Sequence, residues 1–217
     1  MSPQMVERLW RALFDTVQMV GVSAGIALLA GVPLAVLLVT SQPGGLAPAP
    51  ALHRVLGALI NGFRATPFIV LLVALLPVTR FLTGTTIGVW AAIVPLAISA
   101  TPFFARIAEV SLREVDKGLI EAAQAMGCRR RHIVTQVLLP EALPGLIGGF
   151  TVTVVTMIGA SAMAGVVGAG GLGDVAMRYG YQRFDTTVMA AVIVILVALV
   201  TIVQLSGDLA VRRLKAR

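Results

Sequence analysis

Three groups of residues in this chain have types and spacings that chemistry uses. Gly168, Gly170 and Gly173 satisfy the Gly-x-Gly-x-x-Gly spacing that lets a backbone approach a dinucleotide pyrophosphate. That motif needs a strand before it, a helix after it and an acid about twenty residues on. Here a long apolar run comes before it, and another occupies the place of the acid. The glycines therefore predict a flexible or closely packed loop, and no cofactor is expected. His53, Cys128 and His132 are too scattered for a metal site. Nothing in the chain spells the Gly-x-x-x-x-Gly-Lys-Ser/Thr loop, so ATP hydrolysis by that route, and catalysis generally, are not expected. The third group is Glu121-Ala122-Ala123, Gly127, Val137, Leu139 and Pro140, a regular series inside a charged stretch.

The elements that hold these residues follow from composition. Of 217 residues, 58% are hydrophobic and 12% charged, about half the charge of an ordinary soluble domain. Runs free of charge cover 16–53, 65–79, 81–105, 142–173 and 186–207. A helix needs about 20 apolar residues to cross the hydrocarbon core. The run at 65–79 is short, but it extends back through 55–63 with only Arg64 between. The fold class predicted is all-α and membrane-embedded: one domain over 1–217, with five crossings at about 17–40, 57–79, 85–105, 144–166 and 187–208. The first crossing is too long for a signal peptide, with Glu7 and Asp15 ahead of it. One cysteine excludes an internal disulfide framework.

Five crossings put the two ends on opposite sides. The side holding the 106–141 segment, the C-terminal tail and Arg54 collects 11 basic residues against 5 on the other, with Arg64 unassigned. The richer side is expected to be cytoplasmic and the N-terminus outside. The net charge of +7 thus belongs to membrane topology, and no nucleic-acid partner is expected. Gly21-xxx-Gly25, Gly84-xxx-Gly88 and Gly145-xxx-Gly149 are pairs that let helix backbones approach closely. Arg64 and Glu109 are the charges nearest the crossings. An interfacial position with snorkelling side chains accounts for both, although intramembrane charges are functional candidates by default. Arg64, together with Met163 in Ser161-Ala162-Met163-Ala164-Gly165, is a candidate for lining a pathway.

The 106–141 segment is too charged to cross a membrane and too regular to be disordered. Ser111 and Glu114 fit a capping box at a helix start. Leu112, Val115, Leu119, Ala122, Ala123 and Met126 then recur at helical spacing as one apolar stripe. Gly127 suits a left-handed cap. A second short helix with Ile133, Val134, Val137 and Leu138 is expected to end at Pro140. The result is a helix–glycine–helix unit between the third and fourth crossings.

Glu121-Ala122-Ala123, Gly127, Val137 and Leu139-Pro140 together resemble the Glu-Ala-Ala loop of binding-protein-dependent ABC importer permeases, with Val137 where that family usually has Ile. The Phe63-Arg64-Ala65-Thr66-Pro67-Phe68, Leu138-Leu139-Pro140-Glu141-Ala142-Leu143-Pro144-Gly145 and Gly168-Ala169-Gly170-Gly171-Leu172-Gly173 runs extend the resemblance, toward methionine-uptake permeases, over essentially the whole chain. The resemblance implies a homodimer in a bacterial inner membrane that carries an amino acid, with methionine foremost. It implies two cytoplasmic ABC ATPase subunits, each seating one Glu-Ala-Ala loop, and a periplasmic or lipid-anchored substrate-binding protein. An ion-coupled secondary transporter is the alternative, but Asp15, Glu109, Glu141, Asp185 and Asp208 all flank the apolar runs rather than lie deep within them.

Overall fold

The computed structural model describes residues 2–215, so Arg217 of the basic tail lies outside the described residues. Ten helices, α1 to α10, carry the chain. The first, α1 (Pro3–Ser41), has 39 residues. At 1.5 Å per residue it spans about 58 Å, nearly twice the thickness of the hydrocarbon core. It is followed by α2 (Pro50–Ala65), α3 (Phe68–Ala74), α4 (Leu76–Thr83) and α5 (Val89–Arg113). Next come α6 (Lys117–Ala125), α7 (Arg130–Ile133) and α8 (Leu139–Ala164). The chain ends with α9 (Gly171–Val175) and α10 (Thr186–Lys215). Four stretches are long and apolar enough to cross a membrane: α1, α5, the run Arg130–Ala169 and α10. The fifth crossing is a bent pair, α2 with α3.

Two clusters fix which ends lie together. Leu9 and Ala12 of α1 pack with Leu172 and Val175 of α9 and with Val188 and Val192 of α10, all near the N-terminus. Ala35 and Val39 pack with Phe104, Leu112, Leu138 and Leu146 at the opposite end. That second end also carries the basic residues of the 106–131 segment. The long helices touch closely where side chains are small. A Cβ on Gly31 would lie 2.7 Å from Phe104, and one on Gly149 would collide with Ile107 of α5. A Cβ on Gly21 or Gly25 meets nothing within 4 Å, so that pair makes no close approach inside the chain.

The structure departs from the sequence reading at four places, each with a local cause. The second crossing is not the straight helix 57–79: α2 and α3 meet at 105°. Pro67 pushes Thr66 to an extended conformation (φ −83°, ψ 124°) and removes an amide from the ladder. The third crossing does not end at residue 105; the buried series Ala105, Ala108 and Leu112 carries α5 to Arg113. Ser111 is therefore inside α5, where its hydroxyl donates to the Ile107 carbonyl at 3.4 Å. The cap of α6 is instead Asp116, whose Oδ1 accepts from the Gly118 amide at 2.7 Å. Pro140 terminates nothing. A π-helical turn at Val134–Leu138 joins α7 to α8, with the Leu139 amide donating to the Val134 carbonyl. The wider turn lets the ladder pass the proline, so the second short helix is the root of the fourth crossing.

Candidate functional site

The series Glu121-Ala122-Ala123 lies in α6, which stands at the basic end. Gly127 stops that helix. Its φ of +75° is a conformation other residues adopt at a cost. Its amide donates to the Gln124 carbonyl (2.9 Å) and the Cys128 amide to the Ala123 carbonyl (3.1 Å), the paired bonds of a Schellman cap. The stripe expected along 112–126 splits into two faces. Leu112, Val115 and Ala123 are buried against the bundle. Leu119 (45% exposed), Ala122 and Met126 (76% exposed) point away from it, at helical spacing. The helix thus has an apolar face with no partner among the described residues.

Glu121 is exposed and lines a groove of about 360 Å³ between α6 and the first loop, together with Thr40, Pro43, Gly45, Lys117 and Gln124. Val137 and Leu139 are half-buried and Pro140 is exposed. The residues that seat this root are Ile133 (2% exposed) and Leu138 (1% exposed), which the motif skips. Both are among the apolar residues that the sequence places in the second short helix. Glu109, also 1% exposed, holds Arg106 at 2.6 Å and Arg113 at 2.5 Å, so its buried charge is matched on its own helix. The approach of Arg113 to Oε1 is an ion pair without hydrogen-bond alignment.

Arg64 lines a cavity separate from the groove that Glu121 lines. Arg64 is in the last turn of α2 and is exposed to a cavity of about 120 Å³, whose wall includes Phe63, Thr66, Ser99, Thr156 and Met157. Ser99 and Thr156 lie in the middle part of α5 and α8, so the cavity opens partway along those two helices. Met163 does not line it. It is 51% exposed and continues a stripe of exposed α8 residues, Val152, Thr156 and Gly159.

At the N-terminal end the glycine-rich run is a packing device. The Thr16 hydroxyl of α1 accepts from the Leu172 amide at 2.9 Å, and Leu172 is fully buried. A Cβ on Gly173 would collide with the Ala162 backbone of α8.

Comparison with known proteins agrees with this geometry. Residues 27–216 match the family model described as binding-protein-dependent transport system inner membrane component. The chain is 50% identical over 206 residues to a probable D-methionine transport system permease protein MetI of Vibrio cholerae, covering 95% of this chain and 92% of that one. It is 42% identical over 201 residues to the methionine import system permease protein MetP of Bacillus subtilis, covering 93% and 90%. A solved structure of the MetNI methionine ABC transporter in an inward-facing conformation superposes with a TM-score of 0.97 at 47% identity, covering 99% of both chains.

Proposed function

The chain belongs to the family of binding-protein-dependent transport system inner membrane components, and from that premise we propose that it forms the translocation pathway of an ABC importer for methionine. The observation that carries this reading is α6: a short helix at the basic end whose Leu119, Ala122 and Met126 face outward with no partner among the described residues. A membrane-embedded chain that makes no ATP-binding loop of its own needs a contact through which an ATPase moves it. Relatives named as methionine permeases support the substrate. The match to the MetNI transporter supports assembly with ATPase subunits.

In this reading two copies pair, and each offers α6 to one cytoplasmic ATPase subunit. Closure of the ATPases on ATP moves α6. That motion passes through Val115, Ala123 and Leu138 into α5 and α8, which share one buried cluster with the end of α1. Gly127 sets the direction in which the chain leaves α6, and the α7–α8 root makes the fourth crossing move with it. The basic end faces the cytoplasm, as the excess of Lys and Arg there requires. The N-terminus and the 165–185 segment then face outward, where a substrate-binding protein delivers its cargo. Arg64 and Met163 lie along the pathway, one at the cavity beside the break in the second crossing and one nearer the outer side.

The test is to pull down tagged protein in mild detergent, wild type beside Gly127→Pro, and assay the bound fraction for ATPase activity. Proline cannot adopt a φ of +75° and lacks the amide that closes the cap. The expected outcome is an ATPase with the wild type and none with the variant. Wild type that purifies alone and moves solute down an ion gradient would overturn the reading.

A further inference from the structure

We propose that Arg64 is the anchor for the carboxylate of the transported amino acid, held at the break in the second crossing. The proposal rests on the importer reading and names the chemistry of its pathway. A guanidinium keeps its charge at any physiological pH. Between apolar helices such a charge is tolerated only against water or an anion. The other arginines near carboxylates are matched on their own helices: Arg11 with Glu7, Arg106 and Arg113 with Glu109, Arg178 with Asp174. Among the described residues Arg64 enters no ion pair. It faces the cavity of about 120 Å³ instead, room for a carboxylate and the atoms beside it.

The surroundings fit a zwitterion with an apolar side chain. Thr66, Ser99 and Thr156 line the cavity with Arg64, the Thr66 and Thr156 hydroxyls donating to the Gly62 and Val152 carbonyls and keeping oxygen lone pairs free, and Phe68, Leu96 and Met157 supply an apolar surface. The guanidinium fork matches a carboxylate with two parallel hydrogen bonds. The break itself supplies the opposite charge preference. Proline at 67 has no amide to continue the ladder, and at the end of α2 the Phe63 and Gly62 carbonyls accept from the Thr66 amide (3.3 Å) and hydroxyl (3.0 Å). The helix C-terminus therefore carries a partial negative charge. That end keeps Arg64 in place and offers acceptors to an ammonium. One bend thus presents both halves of an amino acid's recognition.

Removing the anchor uncouples transport rather than assembly, because Arg64 is far from α6. Substrate handed over from outside would leave the cavity before the bundle turned, and ATP would be spent without import. The experiment uses the reconstituted permease–ATPase complex in proteoliposomes with methionine-loaded binding protein. It compares wild type, Arg64→Gln and Arg64→Lys by methionine imported per ATP hydrolysed. Loss of a charge-assisted hydrogen bond predicts a fall of about tenfold or more in that ratio for R64Q, with binding-protein-stimulated hydrolysis retained and R64K in between. A wild-type ratio in R64Q overturns the proposal. So does loss of ATPase capture in both variants, which would make Arg64 a structural residue. Wild type that captures no ATPase sinks the importer reading instead. The R64Q to wild-type ratio of uptake down an ion gradient then still reads the anchor, with an unchanged uptake overturning it.

Discussion

Two short segments join long helices in this protein, and they treat their apolar residues in opposite ways. The 114–129 segment is rich in charge, yet it leaves Leu119 and Met126 exposed on α6. The 165–185 segment is rich in glycine, and it buries Leu172 and Val175 between α1 and α10. Burying a leucine side chain stabilises by about 1.5–3 kcal/mol. The second segment takes that stabilisation from its own chain, whereas the first leaves it unclaimed among the described residues. One is a clamp on the fold and the other is an open contact. The sequence predicts a flexible or closely packed loop at these glycines and, by resemblance, a coupling contact at the Glu-Ala-Ala series.

That contrast breaks most severely at Gly173. Gly173→Val places side-chain atoms in the Ala162 backbone, so loss of monodisperse protein in detergent size-exclusion chromatography is expected. A well-behaved G173V protein would show that the clamp yields. Leu172→Ala should cost about 3 kcal/mol, read as a lowered thermal midpoint in detergent, with ATPase capture unchanged once folded. On α6 the signature should invert. Leu119→Ser and Met126→Ser are expected to leave the thermal midpoint within the scatter of surface substitutions, about 0.5 kcal/mol. Each should weaken ATPase binding about tenfold, the loss of a contact worth about 1.4 kcal/mol. The smallest effect is at the cap: Asp116→Ala removes the bond to the Gly118 amide and should cost α6 about 1 kcal/mol. It shows as faster amide exchange confined to 117–125.

What was legible in the sequence followed from period and charge. Five apolar runs produced the crossings, and Gly127 at the end of a helical stripe announced its cap. Pro67 was readable as a helix breaker, but its consequence was lost because the runs on either side summed to one crossing of plausible length. Pro140 misled in the opposite sense. A proline ends an isolated helix, but here a π turn absorbs it, and whether a chain uses that option depends on tertiary packing of Ile133 and Leu138. Ser111 failed as a cap because burial of Ala108 and Leu112 drives α5 on past it. The stripe on α6 was correct in its residues, but a period cannot say which of two neighbouring faces the bundle takes. Leu119 and Met126 therefore emerged as the outward pair only from the packing. Arg64 was readable as a charge beside an apolar run, but the cavity it shares with α5 and α8 follows from the bend at Thr66–Pro67 and not from the sequence.

The central claim is that α6 is an open contact completed by an ATPase, while the glycine-rich segment is complete within the chain. Hydrogen–deuterium exchange on the permease alone and with the ATPase subunit tests it most directly. The account predicts that amides of 117–126 exchange fast alone and slow markedly on addition of the ATPase, while those of 171–175 are slow in both states. Exchange over 117–126 that is already slow in the permease alone, or that the ATPase leaves unchanged, would contradict it.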